Sequence, residues 1–317
     1  MESLSKENRF YFMGIAIIAI ILHHLCYRLD VAWHLDTIPF TPFIHGNIGV
    51  DLFFFASAYG CCASWERHSW RQYYGNRIRR IYPQYILFLI IVLLLFYPDA
   101  SLLHNLKVIA LNLTGLAPIN LFHTRIEWFI PSLLLVYFTL PLLNWILSVK
   151  DRCSIVIMLL GLILSWVLLK FDYLYWTFQA RIPVVMCGVF AYLNRERKGY
   201  CIKVFSLLLL TAFCTGEETM IYSMTVPLLM VSMSYVNLNS VPEKRLFSWL
   251  GRHSLEVFFA QTITTQFIMH RYYWGDKWLS LSIVVGLTVV LSFVFWGYQS
   301  VFRRVENIIR AKLNMAL

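Results

Sequence analysis

Long apolar runs separated by short polar and basic stretches make up most of this chain. The runs Tyr85–Tyr97 and Ile155–Leu169 lack the strict alternation of apolar and polar residues that a membrane β-strand shows. Continuous apolar runs of this kind are typical of helices that cross a bilayer, where every backbone polar group must be satisfied internally. The pattern predicts an all-α, polytopic integral membrane protein.

The apolar runs predict about ten transmembrane helices. These spans cover residues 10–27, 46–65, 81–97, 127–147, 154–170, 179–194, 202–216, 219–236, 252–270 and 279–302. The positive-inside rule assigns four basic clusters and both termini to the cytoplasm. These clusters are Arg67–Arg80, Arg195–Lys203, Lys244–Arg252 and Arg303–Lys312. We expect one domain, 1–317, in a bacterial inner membrane, with residues 102–122 forming an interfacial or re-entrant helix outside.

Composition agrees with this class, because 59% of residues are hydrophobic and 14% are charged, whereas about a quarter are charged in soluble domains. The net charge of the chain is +10. Its basic residues occur in short clusters without the aromatic residues that accompany them in a nucleic-acid site, so we expect a lipid bilayer and no nucleic acid as partner. The cysteines show no zinc-type spacing, and no metal site is predicted.

One carboxylate, Asp51, lies within an apolar, aromatic segment that is predicted to be embedded in the membrane. An acidic side chain at that depth is costly unless it is paired or lines a cavity, so it marks a candidate functional site. The preceding apolar run ends in His23 and His24. If the first two spans are antiparallel neighbours, one histidine meets Asp51 at a similar depth. Neighbouring helix positions point about 100° apart, and His23 is the predicted packing residue.

Three arginines, Arg77, Arg79 and Arg80, precede the predicted third span, with Pro83 expected in its first turn. Arginines beside a span commonly do no more than set its orientation. The alternative is that their guanidinium groups, aided by a helix N-terminus, bind phosphate groups of a cytoplasmic ligand.

Five motifs occur in an order and spacing typical of one known family. The matching positions are Asn8, Gly14, Ile15, Ala16 and His24 in the first span, Gly49–Phe55, Ser57 and Tyr59 in the second, Arg77, Arg80, Ile81 and Pro83 in the third, Trp128–Pro131, and Leu250, Gly251 and Ser254–Glu256. Over nearly its whole length the chain thereby resembles the acyltransferase 3 family of integral membrane acyltransferases.

Two positions depart from the family pattern. The family usually has a basic residue eleven positions before the histidine, where this chain has Met13, and Gln261 replaces a histidine of the penultimate span. Arg9 lies one helical turn before Met13. It is either a relocated cation that binds the cofactor or an N-terminal anchor in the inner headgroups.

The resemblance implies a reaction that uses acyl-CoA, most consistently acetyl-CoA, as the donor substrate. The phosphates would bind Arg77 and Arg80, while His24 would act as general base and Asp51 would orient its ring. Transient acylation of His24 is an equally open route. The expected acceptor is a hydroxyl group of a cell-envelope polysaccharide or lipid-linked sugar, so the reaction is an O-acetylation.

Two other functions remain open on sequence grounds. A transporter or flippase for a glycan precursor would also need paired charges in the membrane, but the chain lacks the internal repeats and interrupted helix pairs of such folds. A non-catalytic family member would bind acetyl-CoA without transfer, which Met13 makes credible. Among the other charged residues, Arg181 is expected either to stabilise charge inside the bundle or to extend to the headgroups, and Glu256 is expected to be a buried acid.

Overall fold

A computed structural model of the chain describes residues 6–33, 45–97, 100–119, 126–149, 151–171, 174–235, 242–268 and 277–315. Every named element in these ranges is helical, which confirms the all-α prediction. In chain order the elements are α1 (Lys6–Trp33), α2 (Ile48–Arg67), α3 (Trp70–Phe96), α4 (Leu102–Leu113), α5 (Phe129–Leu147), α6 (Asp151–Leu168), α7 (Trp176–Gln179), α8 (Ile182–Leu193), α9 (Lys198–Thr215), α10 (Glu218–Ser232), a 3₁₀ turn (Met233–Tyr235), α11 (Lys244–Arg252), α12 (Ser254–Thr262), a π-helix (Ile263–Ile268) and α13 (Lys277–Met315).

Eight helical segments in the described part of the chain are long and apolar enough to cross a membrane, and each overlaps a predicted span. The two remaining predicted spans fall on α10, which has 15 residues, and on the consecutive α11, α12 and π-helix. The total of about ten spans therefore stays a prediction. Helix α4 has 12 residues, or about 18 Å, so it is too short to span and agrees with the interfacial prediction for residues 102–122.

The structure corrects the predicted start of the third span. Helix α3 begins directly after Ser69, because the Ser69 hydroxyl accepts from the backbone N–H of Gln72 and the Gln72 side chain accepts from the backbone N–H of Ser69. Pro83 therefore lies inside the helix and not in its first turn. Arg77 and Arg80 belong to the same helix, so they are held rigidly, and the helix N-terminus is too distant to assist them.

Two prolines within helices leave carbonyl groups that bind side chains from other helices. Proline has no N–H to donate to the carbonyl four residues earlier. In α3 this frees the carbonyl of Arg79, which accepts from Gln299 Nε2 of α13 at 3.1 Å. In α5, Pro141 frees the carbonyl of Tyr137, which accepts from the Tyr73 hydroxyl at 3.2 Å. These bonds fasten α3 to its neighbours.

Small residues let α1 and α2 approach closely. A Cβ atom added at Gly46 would meet the carbonyl oxygen of Ala19, and one added at Gly49 would meet that of Ala16. Close backbone contact through small residues is typical of helix packing in membranes. The residue numbers run in opposite directions along the contact, so α1 and α2 are antiparallel neighbours, as predicted.

Candidate functional site

A cavity of about 260 Å³ lies between α1, α2, α3, α5 and α12. Three cationic side chains line it, namely Arg9, Arg77 and Arg80. Met13, at the position where the family usually has a basic residue, also lines this arginine cavity. The fold thus brings together all three residues that the sequence predicts to bind the donor.

The positions of the arginines follow from local structure. Arg77 and Arg80 are three residues apart on α3 and so share one face. The Arg77 guanidinium lies 3.5 Å from the centre of the Tyr73 ring and donates to the Tyr73 carbonyl at 2.7 Å. The Arg9 guanidinium lies against Gly60 of α2, in the space that any larger side chain would occupy. A larger side chain at position 60 would make this guanidinium shift away from α2.

Two of these arginines keep hydrogen-bond donors available. The Nε atoms of Arg9 and Arg77 are buried, and within the described part of the chain neither has a hydrogen-bond partner. Buried guanidinium donors without a partner are costly. A phosphate group in the cavity would satisfy them, since guanidinium groups bind phosphate through short, charge-assisted hydrogen bonds.

His24 lies in a chain of hydrogen bonds between α1 and α12. Its Nδ1 atom is 2.9 Å from Gln261 Oε1. Gln261 Nε2 donates to the Thr262 hydroxyl at 2.9 Å, and that hydroxyl donates to the Phe258 carbonyl at 2.8 Å. The Gln261 amide therefore presents its oxygen to His24, which requires a hydrogen on Nδ1. In the neutral ring the lone pair is then on Nε2.

Asp51 has a different partner from the one predicted. Its carboxylate lies 3.1 Å from Arg181 Nε, and the two side chains are 2% and 1% exposed. Arg181 also donates to the Thr177 carbonyl at 2.7 Å and lies 5.7 Å from the centre of the Trp128 ring. Arg181 thus stabilises charge inside the bundle and does not extend to the headgroups. In the sequence, the only indication of this role is that Arg181 lies at the start of an apolar run.

The structure does not bring His24 and Asp51 together. The contacts of Gly46 and Gly49 with α1 place Asp51 level with about residues 14–16 of that helix, roughly 12–15 Å from His24 along its axis. The sequence prediction assumed that the first span ends near residue 27, opposite the start of the second. Instead the contact of Gly46 with Ala19 and His23 places the start of α2 against the middle of α1, which continues to Trp33.

The other predicted acid, Glu256, is buried as expected. It is 7% exposed and accepts a hydrogen bond from Gln84 Nε2 at 2.9 Å. Gln84 lies one turn after Arg80 on α3. A line of polar groups therefore continues from the arginine cavity into the centre of the bundle, at a depth where polar side chains commonly mark function.

A comparison with protein-family models decides the family. The model of an acyltransferase domain matches residues 12–297 of the 317-residue chain. The chain belongs to the acyltransferase 3 family. No curated protein and no solved structure matches it. Together with its apolar helices, membership makes this protein a multi-pass membrane acyltransferase.

Both departures of this acyltransferase from its family pattern fall at key places. Met13 lines the arginine cavity, and Arg9, just before the matched region, supplies a cation to the same cavity. Gln261, in place of the usual histidine, contacts His24 directly. The altered positions are therefore part of the candidate site and not peripheral to it.

Proposed function

We propose that this acyltransferase moves an acetyl group from cytoplasmic acetyl-CoA to a hydroxyl group of a cell-envelope polysaccharide or lipid-linked sugar. The observation that carries this proposal is the convergence of Arg9, Arg77 and Arg80 on one cavity. Coenzyme A has phosphate groups at one end and a narrow, weakly polar arm at the other. The arginines suit the phosphates, and the largely apolar remainder of the wall suits the arm.

The donor arm points toward His24 in this proposal. Met13 and His24 are eleven residues apart on α1, three helical turns, so they lie on nearly one face and about 16 Å from each other. Three aromatic rings line the cavity, those of Phe53, Phe129 and Phe258. The ring centre of Phe129 lies 5.9 Å from that of Phe53 and 5.0 Å from that of Phe258. Phe258 precedes Gln261 by one turn. Because the Phe258 ring lies between the cavity and Gln261 in this proposal, the arm would displace that ring to bring the thioester to His24.

The proposed chemistry uses one nitrogen of His24. Its Nε2 atom takes the proton of the acceptor hydroxyl as that oxygen attacks the thioester carbonyl carbon. The carbon–sulfur bond then breaks, and the departing thiolate takes the proton back from the imidazolium ring. Gln261 holds the other ring nitrogen as N–H throughout. Asp51 acts at a distance, because its ion pair with Arg181 fixes α2 against α8.

The arginine cavity leads to a binding prediction for Arg80. Arg80→Ala should weaken acetyl-CoA binding by about 10- to 100-fold, since a hydrogen bond to a charged group contributes about 1.5–3 kcal/mol. Isothermal titration calorimetry on the purified protein would measure this loss. Acetyl-pantetheine, which lacks the nucleotide phosphates, should bind the variant and the natural protein equally.

The matched control is Arg71→Ala on the same helix. Arg71 is exposed, lies over the Trp70 ring and does not line the cavity, so its removal should leave acetyl-CoA affinity unchanged. Equal weakening by Arg71→Ala and Arg80→Ala would mean that general surface charge, and not the cavity, attracts the donor.

A second prediction concerns Arg9 as the relocated cation. Arg9→Ala should cut acetyl transfer severely, and adding Met13→Arg should restore much of it, because both positions line one cavity and are about 6 Å apart along α1. Gly60→Ala should lower transfer by less than Arg9→Ala does, since its methyl group makes the Arg9 guanidinium shift but does not remove it. Transfer assays on membranes measure all three variants.

The outcome that contradicts relocation is also defined. If Arg9→Ala and Gly60→Ala transfer acetyl normally while Met13→Arg alone raises the rate, Arg9 is only an anchor. If every variant and the natural chain bind acetyl-CoA without transfer, the protein is a non-catalytic family member.

A further inference from the structure

A second cavity lies on the opposite side of α12 from the arginine cavity. Its volume is about 380 Å³, and it is formed by α1, α11, α12, the π-helix and α13. Ser254, Leu255 and Phe258 of α12 face the arginine cavity, whereas Glu256 and Val257 face the second one. Helix α12 is thus a partition between two chambers, and it carries Gln261, the partner of His24.

The second cavity is exposed on the side that faces the lipid. Its α13 wall includes Val285, Val289, Phe293 and Trp296, which are 46%, 51%, 60% and 49% exposed. These residues follow one another at helical spacing, so they form a single apolar stripe. In a membrane-spanning helix such a stripe contacts hydrocarbon, and the cavity behind it is accessible from within the bilayer.

Polar side chains also line this lipid-facing cavity, and one of them adjoins the partner of His24. They include Glu256, Thr265 and Thr288. The Thr265 hydroxyl lies 3.3 Å from Gln261 Oε1, the oxygen that contacts His24 Nδ1. Ile21 and Leu25, which flank His24 on α1, line the same cavity.

We propose that the lipid-facing cavity binds the hydrocarbon chain of a membrane-borne acceptor whose hydroxyl group receives the acetyl. This inference rests on the proposed function and narrows its acceptor to a lipid-linked sugar that enters sideways from the bilayer. The apolar stripe accommodates the chain, and the head of the molecule lies at Thr265, which contacts the Gln261 oxygen that contacts His24. A volume of about 380 Å³ is within the usual range of ligand pockets, about 300–1,000 Å³.

Separate chambers explain how two unlike substrates reach one histidine. The anionic donor has a cationic cavity on one side of α12, and the lipid has an apolar cavity on the other. The polar side chains of this cavity have partners within the protein, since Glu256 accepts from Gln84 and the Thr265 and Thr288 hydroxyls donate to backbone carbonyls. The occupant is therefore assigned from the apolar, lipid-facing wall and from the closeness of the cavity to His24.

The test fills the cavity without touching the donor site. Val289→Trp places a large side chain in the cavity, and Val290→Trp is the matched control, since Val290 is 58% exposed and does not line the cavity. Both variants would be placed in nanodiscs of phosphatidylethanolamine and phosphatidylglycerol. The probe is a long-chain alcohol that carries a photoreactive diazirine, and mass spectrometry locates the crosslinks.

We expect crosslinks at residues 284–293 in the natural protein and in Val290→Trp. In Val289→Trp the crosslink yield should fall by about tenfold. The tryptophan side chain excludes about two methylene groups of the probe, and loss of their burial weakens binding by about that factor. This variant should bind acetyl-CoA normally and lose transfer to lipid-extractable acceptors by a similar factor. Equal labelling of both tryptophan variants, or full transfer by Val289→Trp, would overturn the proposal.

Failure of the proposed function gives a different result. In that case the natural protein shows no acetyl-CoA binding or transfer, whatever the crosslinks show. The milder variant Val285→Phe repeats the test should Val289→Trp fail to fold.

Discussion

His24→Ala is expected to lower acetyl transfer by about 10²- to 10⁴-fold, the usual contribution of a general base, while acetyl-CoA affinity stays within a factor of about two. The reason is spatial. The arginine cavity that would hold the donor phosphates is about 16 Å from His24 along α1, so removal of the imidazole leaves the binding contacts intact. Single-turnover kinetics with radiolabelled acetyl-CoA, together with calorimetry, separate the two effects.

Gln261 supplies the control for the proposed tautomer. Gln261→Leu removes the acceptor for His24 Nδ1–H and should slow transfer by about tenfold, the value of one hydrogen bond. Gln261→His, the usual family residue, retains an acceptor nitrogen and should transfer at a rate close to that of the natural protein. If His24→Ala folds and transfers fully, His24 is not the base. Labelled acetyl recovered on His24 after acid quenching would favour transient acylation.

The second large effect is expected on stability. Asp51→Ala or Arg181→Ala leaves one buried charge without its partner, and such a change lowers the free energy of unfolding by about 3–5 kcal/mol. The double variant Asp51→Leu, Arg181→Met removes both charges and should recover most of that loss. Thermal unfolding in detergent, combined into a double-mutant cycle, measures the coupling.

An exposed ion pair on the same chain is the control. Arg197 and Asp151 lie 2.6 Å apart, but each side chain is 51% exposed, so Arg197→Ala should change the unfolding temperature little. A small effect of both single variants at Asp51 and Arg181 would contradict the structural role of that pair. A stable double variant that transfers acetyl shows that Asp51 does not orient His24. Loss of transfer in that stable variant would show that the ion pair itself, by fixing the position of α2, is needed for activity.

The sequence predicted the class and the helices, and it selected three arginines that line one cavity, for definite physical reasons. Apolar runs identify helices because the bilayer forbids unpaired backbone groups. Arg77 and Arg80 share a helix face by their spacing alone, so their meeting with Arg9 needed only that α1, α2 and α3 be neighbours. Consecutive elements are usually neighbours in space, so that arrangement is the expected one.

The contact partners of the buried polar residues could not be predicted from residue spacing. Spacing does not reveal the register in which α2 packs against α1, and this register separates His24 from Asp51 along the helix axis. Because of the capping box at Ser69, α3 begins several turns before the predicted start at residue 81, and Pro83 lies inside the helix. Arg181 and Gln261 contact Asp51 and His24 from helices that are distant in sequence, and a single chain without homologues carries no sign of those contacts.

The most direct test of the central claim follows the acetyl group itself. Membranes that contain the natural protein or His24→Ala would be incubated with radiolabelled acetyl-CoA, and the lipid-linked and polymeric glycans would be separated and treated with mild alkali. The proposed function predicts alkali-labile radioactivity on a glycan fraction with the natural protein and none above background with His24→Ala. Equal labelling by the two proteins, at equal amounts of folded protein, would contradict it.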